Sequence, residues 1–173
     1  MSSSCIFLDL PINDPTILNF SSLDKDPEVA AKVQYNKHVV KMILESAQML
    51  CTAHRFYGND NVPYKTAHLN HPSTIWTREN ANNYKWLFRH MMYLGDEYTN
   101  RYGKTHLSIT KCWDTLCHLP PNIPQEPFEQ PPQCMPDEYK DKCSVKAYWN
   151  YYIGEKHTVA NPKTEKIYEK INI

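Results

Sequence analysis

The chain has 173 residues and a mass of 20.3 kDa, enough for one hydrophobic core but not for two independently stable domains. Nineteen Lys and Arg balance nineteen Asp and Glu, so no overall positive field draws the protein onto nucleic acid, and DNA or RNA binding would need a local basic patch. No apolar run approaches the roughly 20 residues that cross a bilayer, and Met1 to Leu10 lacks the basic start and apolar length of a secretory signal. A cytoplasmic protein with no membrane partner is expected.

Cysteines stand at positions 5, 51, 112, 117, 134 and 143 with no Cys-x-x-Cys pair, so reduced thiols are expected. Cys112, Cys117 and His118 are the one grouping that could make a structural zinc set, and their spacing is irregular for it. No metal and no cofactor is assigned.

In chain order, Cys5-Ile6-Phe7-Leu8-Asp9-Leu10 reads as a short strand ended by Pro11 and the Asn13-Asp14-Pro15 turn. Asp26-Pro27-Glu28 is a helix start: an Asp cap, proline at the first helical position, and an acid near the positive dipole end. The helical pattern runs to Phe56 with Gly58 as its stop, and its length predicts a break near Tyr35-Asn36. A polar loop from Asn59 to His71 precedes a helical region opened by Pro72-Ser73 and closed by Gly103, in which Gly95 costs about 1 kcal/mol against alanine. A shorter helix covers Ser108 to His118. Residues 120–136 are dense in proline, which denies them both helix and central strand and predicts an extended strap. A last helix runs from about Cys143 to His157, and the tail after Ala160 is polar and loose.

The predicted fold is therefore mainly α, a single domain over 1–173. It has an N-terminal extension (1–25), a helical core (26–118), a Pro-rich strap (119–140), a C-terminal helix (141–160) and a tail (161–173).

The segment from Asn36 to Leu50 carries the most chemistry. His38, Lys41, Glu45, Gln48 and Thr52 fall three and four apart on one helix face, while Val39, Val40, Met42, Ile43, Leu44, Ala47, Leu50 and Cys51 occupy the others. That inverts the usual surface helix and predicts an embedded one with a narrow polar stripe. Two explanations stand side by side: an internal Lys41–Glu45 pair, or the floor of a cleft in which Glu45 and His38 move protons.

His68-Leu69-Asn70-His71-Pro72-Ser73 gathers two imidazoles, an amide and a hydroxyl before a helix start. An anion could lodge near Ser73 and Thr74, or Asn70 or Ser73 could be a plain helix cap; the two histidines lack the carboxylates a metal would want. Trp76, Arg78, Asn80, Asn82 and Asn83 suit either a base pocket or a solvated face. Glu97 and Arg101 form an i,i+4 pair, and Tyr102 to Ser108 adds His106 beside a hydroxyl. In Tyr148-Trp149-Asn150-Tyr151-Tyr152 the aromatics cannot all face one core: they stack on bases or fill a partner's pocket, or they pack on the strap.

The stretches NKHVVKMILESAQMLCTAHR, HLNHPSTIWTRENANNYKWL, EYTNRYGKTH, QCMPDEYK and AYWNYY resemble a family of small phage proteins over nearly the whole chain. More distantly, the chain is similar to the phage pyrimidine-dimer DNA glycosylases of the endonuclease V type. There a His precedes the catalytic Glu by seven residues on an early helix, as His38 precedes Glu45. A Gly-His-aliphatic-Thr stretch before the next helix is echoed by His71-Pro72-Ser73-Thr74, and AYWNYY matches a Tyr-rich C-terminal run. The resemblance implies a compact helical enzyme in which an amine attacks C1′, an imine forms, and a carboxylate assists base loss and strand cleavage. The family's amine belongs to an N-terminal Thr; here Met1 removal exposes Ser2, and Lys41 could substitute if burial lowered its pKa.

The expectation is a phage-type glycosylase or AP-lyase acting on an N-glycosidic bond in DNA or a nucleotide, within the host cytoplasm. Its cleft would be lined by His38, Lys41, Glu45, Asn70, His71 and Arg101. Glu45, His38, Lys41 and His71 are the candidate catalytic residues, with Glu45 as general base or oxocarbenium stabiliser. Asn70, Ser73, Trp76, Asn83, Arg101, His106, Tyr148 and Tyr152 are the candidate nucleic-acid or nucleotide ligands. The alternative is a non-catalytic protein that binds a nucleotide or a host protein, as a counter-defence protein would.

Overall fold

Asp26 accepts a hydrogen bond from the Glu28 amide through its side chain at 2.8 Å, and Pro27 occupies the first helical position, so α1 begins as its sequence dictates and covers Pro27–Lys32. The computed structural model describes residues 23, 24 and 26–154, so the expected strand at Cys5–Leu10 and the tail after Ala160 lie outside the described residues. Among the described residues there are six α-helices and no strand: α1, α2 (Asn36–Phe56), α3 (Pro72–Glu79), α4 (Ala81–Tyr102), α5 (Leu107–Leu116) and α6 (Ser144–Gly154), with a single 3₁₀ turn at Asp137–Tyr139. None is long and apolar enough to cross a membrane.

The break between α1 and α2 falls at Val33-Gln34-Tyr35, and Arg101 explains why the chain can afford it. Breaking a helix orphans its last carbonyls. The Arg101 guanidinium reaches across from α4 and donates to Lys32 O at 3.0 Å, Gln34 O at 2.8 Å and Asn36 Oδ1 at 3.0 Å. A cation at the C-terminal end of α1 also suits its dipole.

The core forms between α2 and α4. Val39, Ile43, Ala47 and Leu50 of α2 pack with Tyr84, Phe88, Met91 and Leu94 of α4, and α5 closes one side with Cys112 and Leu116. The buried α2 positions step by three and four, as one helix face requires. The expected embedding of this helix does not hold along its length. Val40 is 37% exposed and Leu44 38%, so from Asn36 to Met49 α2 is an ordinary amphipathic helix, and only from Leu50 to His54 is it buried all round. Apolar residues occupy two faces of the helix, and periodicity alone does not tell which of the two meets the core.

The helical region from Pro72 to Gly103 is two helices. Asn80 adopts φ −154° and ψ 163°, ends α3, and caps α4 by accepting from the Asn83 amide at 2.9 Å. Gly103 closes α4 at φ +68°, and Gly58, at φ +83°, lies just beyond α2; both need the left-handed conformation that glycine adopts freely. Gly95 has a packing reason: a Cβ there would lie 3.0 Å from Ile109 Cδ1, so the missing side chain lets α5 approach α4.

The proline-dense segment after α5 is a strap with definite anchors. The Ala81 amide, orphaned at the start of α4, donates to Pro124 O at 2.8 Å, and Asn82 Nδ2 donates to Glu126 O at 2.7 Å. At its far end the Tyr148 hydroxyl donates to Pro132 O at 2.9 Å, and Ser144 Oγ to Pro131 O at 3.1 Å. These bonds seat α6 on the strap. A second, small core of Leu23, Val33, Tyr35 and Tyr152 joins α6 to the α1–α2 junction, where Trp149 Nε1 donates to Leu23 O at 2.7 Å.

Candidate functional site

Three of the candidate catalytic side chains share the outward face of α2. Lys41 Nζ lies 3.2 Å from Glu45 Oε1, and the two side chains are 68% and 38% exposed. Glu45 therefore looks into solvent with the amine of Lys41 one turn away, while Lys37, also exposed, adds a second positive charge on the preceding turn. His38, half-buried, is held by α6: its Nδ1 is hydrogen-bonded to the Tyr152 hydroxyl, and Tyr152 stacks on Tyr35 at 5.0 Å with the rings 4° from parallel. Burial of the phenol, with Tyr35 beside it, pushes the Tyr152 pKa well above its usual value. The His38 ring is thereby fixed in orientation by a residue 114 positions away in sequence.

The fourth candidate, His71, sits on a separate element as the cap of α3, its Nδ1 accepting from the Ser73 amide at 3.2 Å. The cap expected of Asn70 or Ser73 is thus supplied by the imidazole between them. Ser73 Oγ contacts Cys134 Sγ of the strap at 3.6 Å, and Asn70 is exposed in the loop before α3. His106 repeats the arrangement on α5, accepting from the Ser108 amide at 3.1 Å beside the Tyr98 ring, and burial lowers its pKa.

The remaining candidate ligands are engaged within the fold. Trp76 is buried, packs edge-on to Phe128 and donates from Nε1 to Glu129 O at 2.8 Å. Asn83, fully buried, donates to Trp76 O at 2.9 Å and accepts from the Glu129 amide at 3.0 Å. The amides and tryptophan that would suit a base pocket instead fasten the strap across the α3–α4 junction. Arg101 pairs with Glu97 at 2.8 Å, as the i,i+4 spacing indicates, and spends its other donors on the α1–α2 break. Tyr148 serves the strap and Tyr152 serves His38.

Two arrangements gave no signal in the sequence. His54 of α2 is buried, with Asn59 Nδ2 donating to its Nδ1 at 3.0 Å, so its proton sits on Nε2, facing the Tyr84 oxygen at 2.9 Å and His118 O at 3.2 Å. Tyr84 in turn donates to Leu116 O at 2.9 Å. Desolvation lowers the His54 pKa to about 4. The second is an open cleft of about 430 Å³ between α1 and α4, where Glu28, Tyr93, Asp96, Glu97 and Asn100 meet. Burial, and then the Glu28 charge, raise the Asp96 pKa. No group of three His, Cys, Asp or Glu among the described residues is placed to hold a metal ion, and the Cys117 thiol donates to Asp114 O rather than joining such a set.

The chain matches no protein-family model, no curated protein and no solved structure at a significant level.

Proposed function

We propose that the protein hydrolyses an N-glycosidic bond in DNA or a nucleotide, with the outward face of α2 as its working surface. The observation that carries this reading is the open Glu45 carboxylate, one turn from the Lys41 amine and two turns from an imidazole whose orientation Tyr152 fixes. The His38–Glu45 spacing it shares with the pyrimidine-dimer glycosylases supports the same reading. On a protein of zero formal charge, Lys37 and Lys41 supply the local basic patch that phosphate binding demands.

In this mechanism Glu45 accepts a proton from water as its oxygen bonds to C1′, and its charge stabilises the oxocarbenium character that develops as the C1′–N bond breaks. The departing base carries the bonding pair and takes up a proton. Lys41 and Lys37 hold phosphate, and His38 orients the sugar or base. Lys41 lacks the burial on which a lysine nucleophile depends, so the reaction is hydrolytic: water takes the place of an amine.

A second reading rests on Val40 and Leu44. Two exposed aliphatic side chains beside Lys37 and Lys41 offer nothing to a phosphate backbone but suit an apolar protein partner with an acidic rim. The absence of free ligands at Trp76, Asn83 and Arg101 favours the same non-catalytic role. Calorimetry with nucleotides and with DNA oligomers, followed by alkaline cleavage of the recovered DNA, separates the two. Alkali-labile sites without a borohydride-trapped adduct support hydrolysis. DNA left intact, with no saturable binding of nucleotide or oligomer, would overturn it in favour of a protein partner.

A further inference from the structure

Phe56, the last residue of α2, displays its ring to solvent and is 55% exposed. The ring is nevertheless held in place: the Arg78 guanidinium lies over it with Cζ 4.5 Å from the centroid, and Tyr57 meets it edge-on at 5.1 Å. We propose that the Phe56 ring, backed by Arg78, is a stacking platform for an unpaired base of a nucleic-acid strand.

The platform is organised before any ligand arrives. Arg78 Nη1 donates to Leu69 O at 2.6 Å, and the Tyr57 hydroxyl donates to Arg78 O at 2.9 Å, so the arginine is fixed through both its side chain and its backbone. Thr52, one turn before Phe56, clasps the neighbouring loop: its hydroxyl accepts from the Ala67 amide at 3.0 Å and donates to Ala67 O at 3.3 Å. Gly58 adds no side chain beside the ring, and a Cβ there would meet nothing within 4 Å. A stacked guanidinium supplies charge for a phosphate, and the ring supplies a π face for a base. Those are the two groups that every nucleotide of a single strand presents.

The surroundings favour a base over a protein side chain. A protein groove needs contiguous apolar area, whereas the chain next to Phe56 is polar, with Asn59 and the Arg55–Asp60 ion pair. Exposed Lys65 and His68 flank Ala67 on the clasped loop and add positive charge and a hydrogen-bonding imidazole.

The position of the ring relates it to Glu45. Phe56 follows Glu45 by eleven residues, about three turns, so both stand on one face of α2 about 16 Å apart. At 3.4 Å per step, about five stacked nucleotides span that distance. This placement rests on the hydrolytic reading of Glu45, and it defines the substrate class as a strand with an unpaired base that far from the reacting sugar.

Fluorescence anisotropy of a labelled single-stranded oligonucleotide tests the platform, with the parent, Phe56→Ala and Phe56→Trp compared once a melt has checked the fold of each. The parent should bind, Phe56→Ala should bind about 10-fold or more weakly, and Phe56→Trp should restore the affinity. Equal affinities for the parent and Phe56→Ala, or no binding by the parent, would overturn the proposal and leave Phe56 to a protein partner. Abasic-site formation by the parent on dimer-bearing DNA reads the hydrolysis separately. Binding through Phe56 without abasic sites refutes the role of Glu45 and supports the platform, whereas abasic sites with unaltered binding by Phe56→Ala refute the platform alone.

Discussion

Replacing Asn83 with leucine keeps the branched heavy-atom outline of a fully buried side chain and deletes both of its hydrogen bonds. Trp76 O belongs to the last turn of α3, whose carbonyls have no helical partner because Asn80 ends the helix, and Asn83 is what satisfies it. The Glu129 amide belongs to the strap, where water replaces a lost partner more easily. An orphaned buried group costs about 1–3 kcal/mol, so the carbonyl sets the larger share and the sum is about 2–4 kcal/mol. For a domain of this size that lowers Tm by roughly 5–10 °C. Differential scanning calorimetry of Asn83→Leu against the parent measures it, and nucleotide affinity is measured in parallel. An unchanged Tm with lost nucleotide binding would refute the reasoning, because Asn83 would then be a ligand and not the fastening of the strap.

Acid should weaken the fold in a defined window. Burial lowers the pKa of His54 to about 4 and of His90 to about 3, against 6.5 for the exposed side chain. The unfolded chain therefore takes up protons first, and the stability these residues contribute is full above pH 6.5 and declines as pH falls towards 4 and 3. At about 1.4 kcal/mol per pH unit per group, roughly 4 kcal/mol is lost between pH 6.5 and 5. Urea midpoints at pH 7 and pH 5 check this; equal midpoints would contradict it. Gly95→Ala should destabilise the protein by about 1–2 kcal/mol, because the contact with Ile109 outweighs the helix propensity gained. In an Ile109→Ala background, which removes both Cδ1 and Cγ1 from the contact, Gly95→Ala should cost less than it does in the parent in the same melts. His106→Ala should cost about 1 kcal/mol through loss of the α5 cap, whereas His106→Asn should cost little, since asparagine caps as well; chemical denaturation distinguishes them.

Where the sequence announced its structure, it did so through local chemistry. The break near Tyr35 follows from the length of the helical run, while the Asp26-Pro27 start of α1 and the glycines beyond α2 and α4 each follow from a residue whose backbone or cap preference acts at its own position. The same is true of the Glu97–Arg101 pair. What it did not disclose depends on partners far away. Asn80 sits inside a run of helix-compatible residues, and only its cap, together with the Pro124 carbonyl waiting for the Ala81 amide, makes it a boundary. Histidine is not a usual cap, so His71 and His106 read as site residues when their imidazoles were serving helix starts. Of the candidate site, the α2 row survives as a surface, since its spacing is a property of one helix. The wider cleft with Asn70, His71 and Arg101 does not follow from spacing, and no contact links those residues to Glu45.

Glu45 carries the functional account, and single-turnover formation of an alkali-labile abasic site in a duplex bearing one pyrimidine dimer tests it most directly. The parent protein should form the abasic site, and Glu45→Gln should lower the rate by about 100-fold or more with Tm almost unchanged, since an exposed i,i+4 pair contributes only about 0.5 kcal/mol. Equal rates for parent and variant, or no glycosidic cleavage of any duplex or nucleotide by the parent, would contradict it.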